Sequence, residues 1–145
     1  MILLPPPLAA RLRANAAASA AANTAGRGFD PPPVLKLFNP LGPATWLASE
    51  LAEDRDTLFG LADLGFGCPE LGTFGLSEIA ALRLPFGMRI ERDLLFISAQ
   101  PLSRWASAAR ECGSIAAAEL LLRHAVRHGR AAPDLPLPSN DEGGG

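Results

Sequence analysis

GFGCPELGTFGLSE, residues 65–78, is the stretch on which the fold turns. Gly65 and Gly67 permit backbone angles that branched residues resist, and Pro69 biases Cys68 away from the helical region, so the segment opens as a turn. Leu71–Leu76 then reads as a short strand whose glycines allow bending or the close approach of a neighbour. Ser77 is a candidate N-cap for a brief helix through Ala80, Ala81 and Leu82, with Glu78 favourably placed in its first turn. The middle of the chain is thus a strand-to-helix switch.

Upstream, Thr57–Asp63 supplies a strand with Leu58 and Gly60 on one side and Phe59, Leu61 and Asp63 on the other. Glu53-Asp54-Arg55-Asp56 reads as the exposed connection of a hairpin, and Ala44–Leu51 before it fits a strand or a helix on local pattern alone. Val34–Phe38, bounded by Pro31–Pro33 and by Asn39-Pro40, suits another short strand. Leu8–Ala22 has strong helix propensity but few large anchors, and Asn23–Gly28 is a stop.

Downstream, Arg83–Gly87 ends the central helix. Met88–Ser98 carries two extended pieces, of which Leu94–Ile97 is the more secure strand. Pro101-Leu102-Ser103 introduces a helix through Arg110 with Trp105 and Ala109 on its packing face. Gly113-Ser114 separates it from a last helix, Ile115 to about His128, buried along Ile115, Ala118, Leu122 and Ala125 or Val126. The fold expected is α+β, a small mainly antiparallel sheet packed by a short central helix and two C-terminal helices. Residues 1–29 form an alanine-rich helix or extension, 30–130 a single α+β domain and 131–145 a disordered tail.

A net charge of -2 gives no whole-chain reason to expect nucleic acid or an anionic membrane. Its distribution is uneven: Glu50, Glu53, Asp54, Asp56, Asp63, Glu70 and Glu78 crowd the middle, while Arg104, Arg110, Arg123, Arg127 and Arg130 gather towards the C-terminus. Cys68 and Cys112 make neither a CxxC motif nor a cysteine cluster, so a reduced, cytoplasmic protein is the simpler expectation. Prolines interrupt the apolar start and its first arginine follows rather than precedes it, unlike a secretion signal. No apolar run reaches the length of a membrane span.

Val34-Leu35-Lys36-Leu37-Phe38, Ala44-Thr45-Trp46-Leu47 and Phe59–Gly65, followed by Pro69-Glu70-Leu71-Gly72, Leu76-Ser77-Glu78 and Ile90–Phe96, resemble in their order the bacterial domain-of-unknown-function family 2958. The resemblance runs from about Pro33 to Trp105; the alanine-rich start, the last helix and the tail depart from it. It implies small proteins frequently carried by plasmids, phages and integrated mobile elements, with no agreed catalytic residues, substrate or cofactor. The recurrent positions it implies are Trp46, Asp63, Glu70, Gly72, Glu91, Arg92 and Asp93.

Among these, Asp63, Glu70, Glu91, Arg92 and Asp93 form the candidate polar cluster. Converging carboxylates would hold a divalent cation or divide acid and base roles, as in a small metal-dependent hydrolase; otherwise they solvate the surface, cap turns and pair with Arg89 or Arg92. His124 and His128 share a helix face at i,i+4, yet zinc needs a further ligand and the acidic residue expected between them is missing. Cys68 has no local histidine to activate it and reads as small apolar packing. Trp46 reads as core, and Trp105 either docks to the sheet or borders a groove. Gly65–Gly75 lacks the Gly-Lys-Ser/Thr of a phosphate loop. The favoured expectation is a non-enzymatic accessory protein of a mobile element that binds a protein partner and needs no cofactor or metal. Glu53, Asp54 and Asp56 are its acidic contact surface. Arg104, Arg110, Arg123 and Arg127 are its basic one, which would serve nucleic acid in the alternative reading.

Overall fold

Prolines and aspartates stand at several of the strand boundaries. The computed structural model describes residues 1–127, with side chains as far as Ala125. Helix α1 spans Pro6–Thr24; strands β1 (Leu35–Phe38), β2 (Thr45–Leu51), β3 (Thr57–Asp63) and β4 (Glu70–Gly75) follow, then α2 (Leu76–Ala81), β5 (Glu91–Arg92), α3 (Leu102–Cys112) and α4 (Ile115–Arg127). All pairings are antiparallel and the sheet order is β4-β3-β2-β1-β5. The first four strands form a meander, and β5 returns to the free side of β1. The fold is α+β, as expected, with a run of four strands followed mainly by helices. The expected tail, together with His128 and Arg130, lies outside the described residues.

Segment 44–51, open between strand and helix on its own pattern, is strand β2. Its seven residues are all buried or nearly so, because both faces of the sheet are covered. On one face Leu47 and Leu61 meet Trp105, Ala109, Ile115 and Leu122 of α3 and α4; on the other, Trp46, Ala48, Leu51 and Leu58 meet Leu12 of α1 and Ile79 of α2. The alternation read along β3 is therefore the division between two cores: Leu58 lies in one, and Phe59 and Leu61 join the other.

Helix α1 is docked as well as formed. Leu12 is fully buried against the sheet, and β1 pairs with β2 only as far as Ala48, leaving the side of β2 beyond it, away from β3, without a strand partner. Polar side chains of α1 take that place: Asn15 Nδ2 donates to the Ser49 carbonyl at 2.9 Å and Arg13 donates to that of Leu51 at 2.7 Å. Helix residues thus cover a sheet edge that β1 is too short to pair.

Three local expectations are corrected. Helix α2 starts at Leu76, so Ser77 lies inside it and makes no cap; the acceptor comes instead from Asp56 in the β2–β3 turn. Leu94–Ile97 is not a strand: the Asp93 side chain accepts the Leu95 N–H at 3.0 Å and its carbonyl accepts from Phe96, which turns the chain away from β1 after Arg92. Such an Asx turn offers the backbone a local alternative to the ladder. Cys68 is exposed rather than packed, since Gly67, at φ +81°, turns the loop outward before Pro69 is buried.

Candidate functional site

The sheet order separates the candidate polar cluster. Glu70 opens β4 at one edge, whereas Glu91, Arg92 and Asp93 lie on or just after β5 at the other. Four strand spacings put the two groups about 19 Å apart. Asp63 sits between them, 2% exposed, with one oxygen accepting the Gly65 N–H and the other the Ile115 N–H, both at 2.9 Å. Ile115 is the first residue of α4, so this carboxylate closes the turn after β3 and caps a helix whose N-terminal dipole favours negative charge. Among the described residues no group of three or more His, Cys, Asp or Glu side chains is placed to hold a metal ion. His124 is exposed and already engaged in an interaction.

Two of the three residues in the acidic contact surface are committed to the backbone. Asp54 accepts the N–H groups of Asp56 and Thr57 and the Thr57 hydroxyl, and these bonds, led by the Thr57 N–H, hold its carboxyl below the usual range. Asp56 accepts the Ser77 N–H at 2.9 Å and its hydroxyl at 3.1 Å, fastening the hairpin turn to α2. Glu53 is exposed. In the basic group, Arg104 is half-buried and engaged, Arg110 is exposed in the last turn of α3, and Arg123 donates to Glu119 at 2.9 Å across one turn of α4. The Arg127 side chain lies outside the described residues. Neither charged surface is an array of uncommitted groups.

Concavity gathers elsewhere, along residues 87–100. A cleft of about 540 Å³ opens between Lys36, Phe38, Pro43, Arg92, Leu94 and Leu95. One of about 180 Å³ lies where Lys36, Arg92 and Asp93 approach Leu8 and Arg11 of α1. A third, about 240 Å³, is bordered by Ile97, Gln100, Trp105, Glu119 and Arg123. The fourth, about 340 Å³, follows Gly87–Glu91 beside Met1 and Leu3.

Between these clefts the chain is pinned from behind. Phe96 packs on Trp105 with ring centroids 5.9 Å apart, and Trp105 Nε1 donates to Ser98 Oγ at 2.9 Å. The Asp93 N–H donates to the Lys36 carbonyl at 3.0 Å, and Lys36 Nζ reaches Asp93 at 3.4 Å and Glu119 at 2.7 Å. Glu119 in turn holds Arg123. On the outside, Leu94, Leu95 and Ile97 are 66%, 89% and 93% exposed. The loop is thus fixed by an aromatic pair and an ion chain while three of its large apolar side chains stay open to water among the described residues, the kind of exposed apolar patch that marks contact surfaces in general.

Sequence reasoning passed over this surface because the apolar run Leu94-Leu95-Phe96-Ile97, ending in two β-favouring residues, suggests a strand. The available signal was Asp93 directly before two leucines, an Asx turn that stops the pairing. Lys36 and Glu119, 83 residues apart, could not be paired from either position alone.

No curated protein and no solved structure gives a significant match to the chain. A family model does match, over residues 3–116, a wider span than the resemblance seen from Pro33 to Trp105. It takes in α1 and the start of α4, the helix that Asp63 caps, so the alanine-rich start falls inside the family pattern. By that match the chain belongs to the family described as Protein of unknown function (DUF2958).

Proposed function

We propose that this protein is a non-enzymatic, cytoplasmic accessory protein that binds a protein partner through the strip formed by Leu94, Leu95 and Ile97. The observation that carries the proposal is the outward, pinned placement of these side chains between clefts. The partner chemistry that fits is a protein segment with large apolar side chains, which would fill the clefts beside Leu95 and Ile97. Burial there would contribute about 1.5–3 kcal/mol per large side chain. Arg92 and Arg123 at the rim would set its orientation. A role in the biology of a mobile element belongs to the same proposal and is supported by the sequence resemblance alone.

The test is a side-by-side capture from the native host with three forms: wild type, Leu95→Glu/Ile97→Glu, and Glu53→Lys as a control on the opposite, hairpin surface. A protein retained by wild type and by the control but lost from the double variant, with unchanged circular dichroism, is the expected result. Retention of the same protein by the double variant removes the strip as the contact. Salt-dependent retention of DNA or RNA that disappears when Arg110 and Arg123 are reversed to glutamate would replace the proposal with nucleic-acid binding.

A further inference from the structure

The two edges of the sheet are treated differently. At β5 the strand is only two residues long, and the Arg92 N–H is met by the Met1 sulfur while its guanidinium donates to the Ile2 carbonyl. At β4 the edge is six residues long and no described element pairs with its outer side. The direction of its backbone groups follows from the ladder. The Thr57 carbonyl accepts from Ala52 on the β2 side. Alternation along β3 then turns Leu58, Gly60 and Ala62 towards β4, where their partners are Phe74, Gly72 and Glu70. The N–H and C=O groups of Leu71 and Thr73 therefore point outward, away from the sheet.

Edges of this length are commonly protected by lysine, proline or a bulge. Here the sequence is ELGTFG, with neither lysine nor proline, and the β3–β4 register runs without a shift. Apolar surface adjoins it: Leu71 is 40% exposed, and the loop entering β4 exposes Leu64 and Phe66. A β-carbon at Gly72 would meet no atom within 4 Å, so the centre of the strand is open.

We infer that β4 pairs with β4 of a second copy of this chain, antiparallel about a two-fold axis at Gly72, joining two five-stranded sheets into one. In that register Leu71 of each copy faces Thr73 of the other, and both outward residues exchange their N–H and C=O groups. Residues directly opposite then lie on the same face of the joined sheet, as pairing requires. Charge selects the antiparallel arrangement over the parallel one. Parallel pairing would set the strand's one ionised residue, Glu70, beside its own copy. Antiparallel pairing places the two about 14 Å apart, beyond the physiological Debye length of about 8 Å. A two-fold, isologous contact also closes on itself, so the exposed edge ends in a dimer instead of a fibre.

Sedimentation velocity over a range of concentrations tests this, with two variants chosen to spare the monomer. Thr73→Pro removes an N–H that no described strand of the monomer pairs with, which an edge strand tolerates. Gly72→Lys places its β-carbon in open space but brings two ammonium groups together at the axis. The expected result is a wild-type species of twice the chain mass, both variants at the chain mass, and unchanged circular dichroism. Amide exchange at Leu71 and Thr73 should be slow in wild type and fast in Gly72→Lys. Should Thr73→Pro lose its circular dichroism, Gly72→Lys decides alone. A wild type that sediments as a monomer at every concentration, or a folded Gly72→Lys that dimerises as wild type does, overturns the inference.

Discussion

At Gly60 a β-carbon would collide with the Leu47 carbonyl oxygen and lie 2.8 Å from the Ala48 Cα. The neighbouring strand comes this close because β2 shifts register between Ala48 and Glu50, and the bulge leans on the one position in β3 with no side chain. Neither obstacle is the end of a flexible side chain; both are backbone, fixed in the middle of the sheet. Gly60→Ala is therefore expected to destabilise the protein by about 3 kcal/mol or more, at the upper end of overpacking costs, because the bulge must reopen to admit one methyl group. Urea unfolding checks this. A midpoint within error of wild type would show that β2 can move away freely. The same bulge buries Ser49 with its hydroxyl unpartnered, a cost that sits beside the α1 contact to its carbonyl.

At the scale of elements, the aspartates explain more of the architecture than of any chemistry. Each α-helix after the first takes an N-terminal acceptor from a distant aspartate, and α4 has a local one as well, the Ser114 hydroxyl, which accepts the Ala117 N–H at 3.0 Å. Asp56 serves Ser77 of α2, Asp30 serves the Ser103 N–H and hydroxyl of α3, and Asp63 serves Ile115 of α4. The cap residues that directly precede α2 and α3, Gly75 and Pro101, make no side-chain bond, so aspartates far away in the sequence supply what these two helices lack. Asp63 differs from the other two in being buried. Asp63→Ala leaves the buried Ile115 N–H without this partner and also removes the acceptor of the more exposed Gly65 N–H, and should cost about 2–3 kcal/mol. Asp63→Asn keeps one acceptor oxygen and should cost less. A denaturant series in which Asp63→Ala stays within about 0.5 kcal/mol of wild type would refute the capping role. Sequence alone marked Asp63 as a polar residue in a recognisable segment but could not choose between ligand and cap. The partner that decides it lies 52 residues away.

For the whole molecule, the parts legible in the sequence are those whose partners are close along the chain. Thr57–Asp63 alternates because its two sides face two cores, and Ile115, Ala118, Leu122 and Ala125 recur at helical spacing because α4 lies on one of them. What distance along the chain conceals is the second layer. Leu12 is one leucine in an alanine-rich run, too sparse a signal for a core-forming helix, yet it is fully buried between β2 and the rest of that face. Without α1, the sheet would expose Trp46, Leu51 and Leu58, and the Ser49 and Leu51 carbonyls would lose Asn15 and Arg13. The helix is therefore expected to unfold with the sheet in one transition and not as a separate extension. Leu12→Ala distinguishes the two. As a core truncation it should lower global stability by about 2–5 kcal/mol with a single cooperative transition, seen alike by far-ultraviolet circular dichroism and by the fluorescence of Trp46 and Trp105, one in each core. If α1 were peripheral, the fluorescence transition would stay at the wild-type midpoint while helical signal alone was lost early, and the two-faced sheet would have to stand on α2, α3 and α4 by themselves.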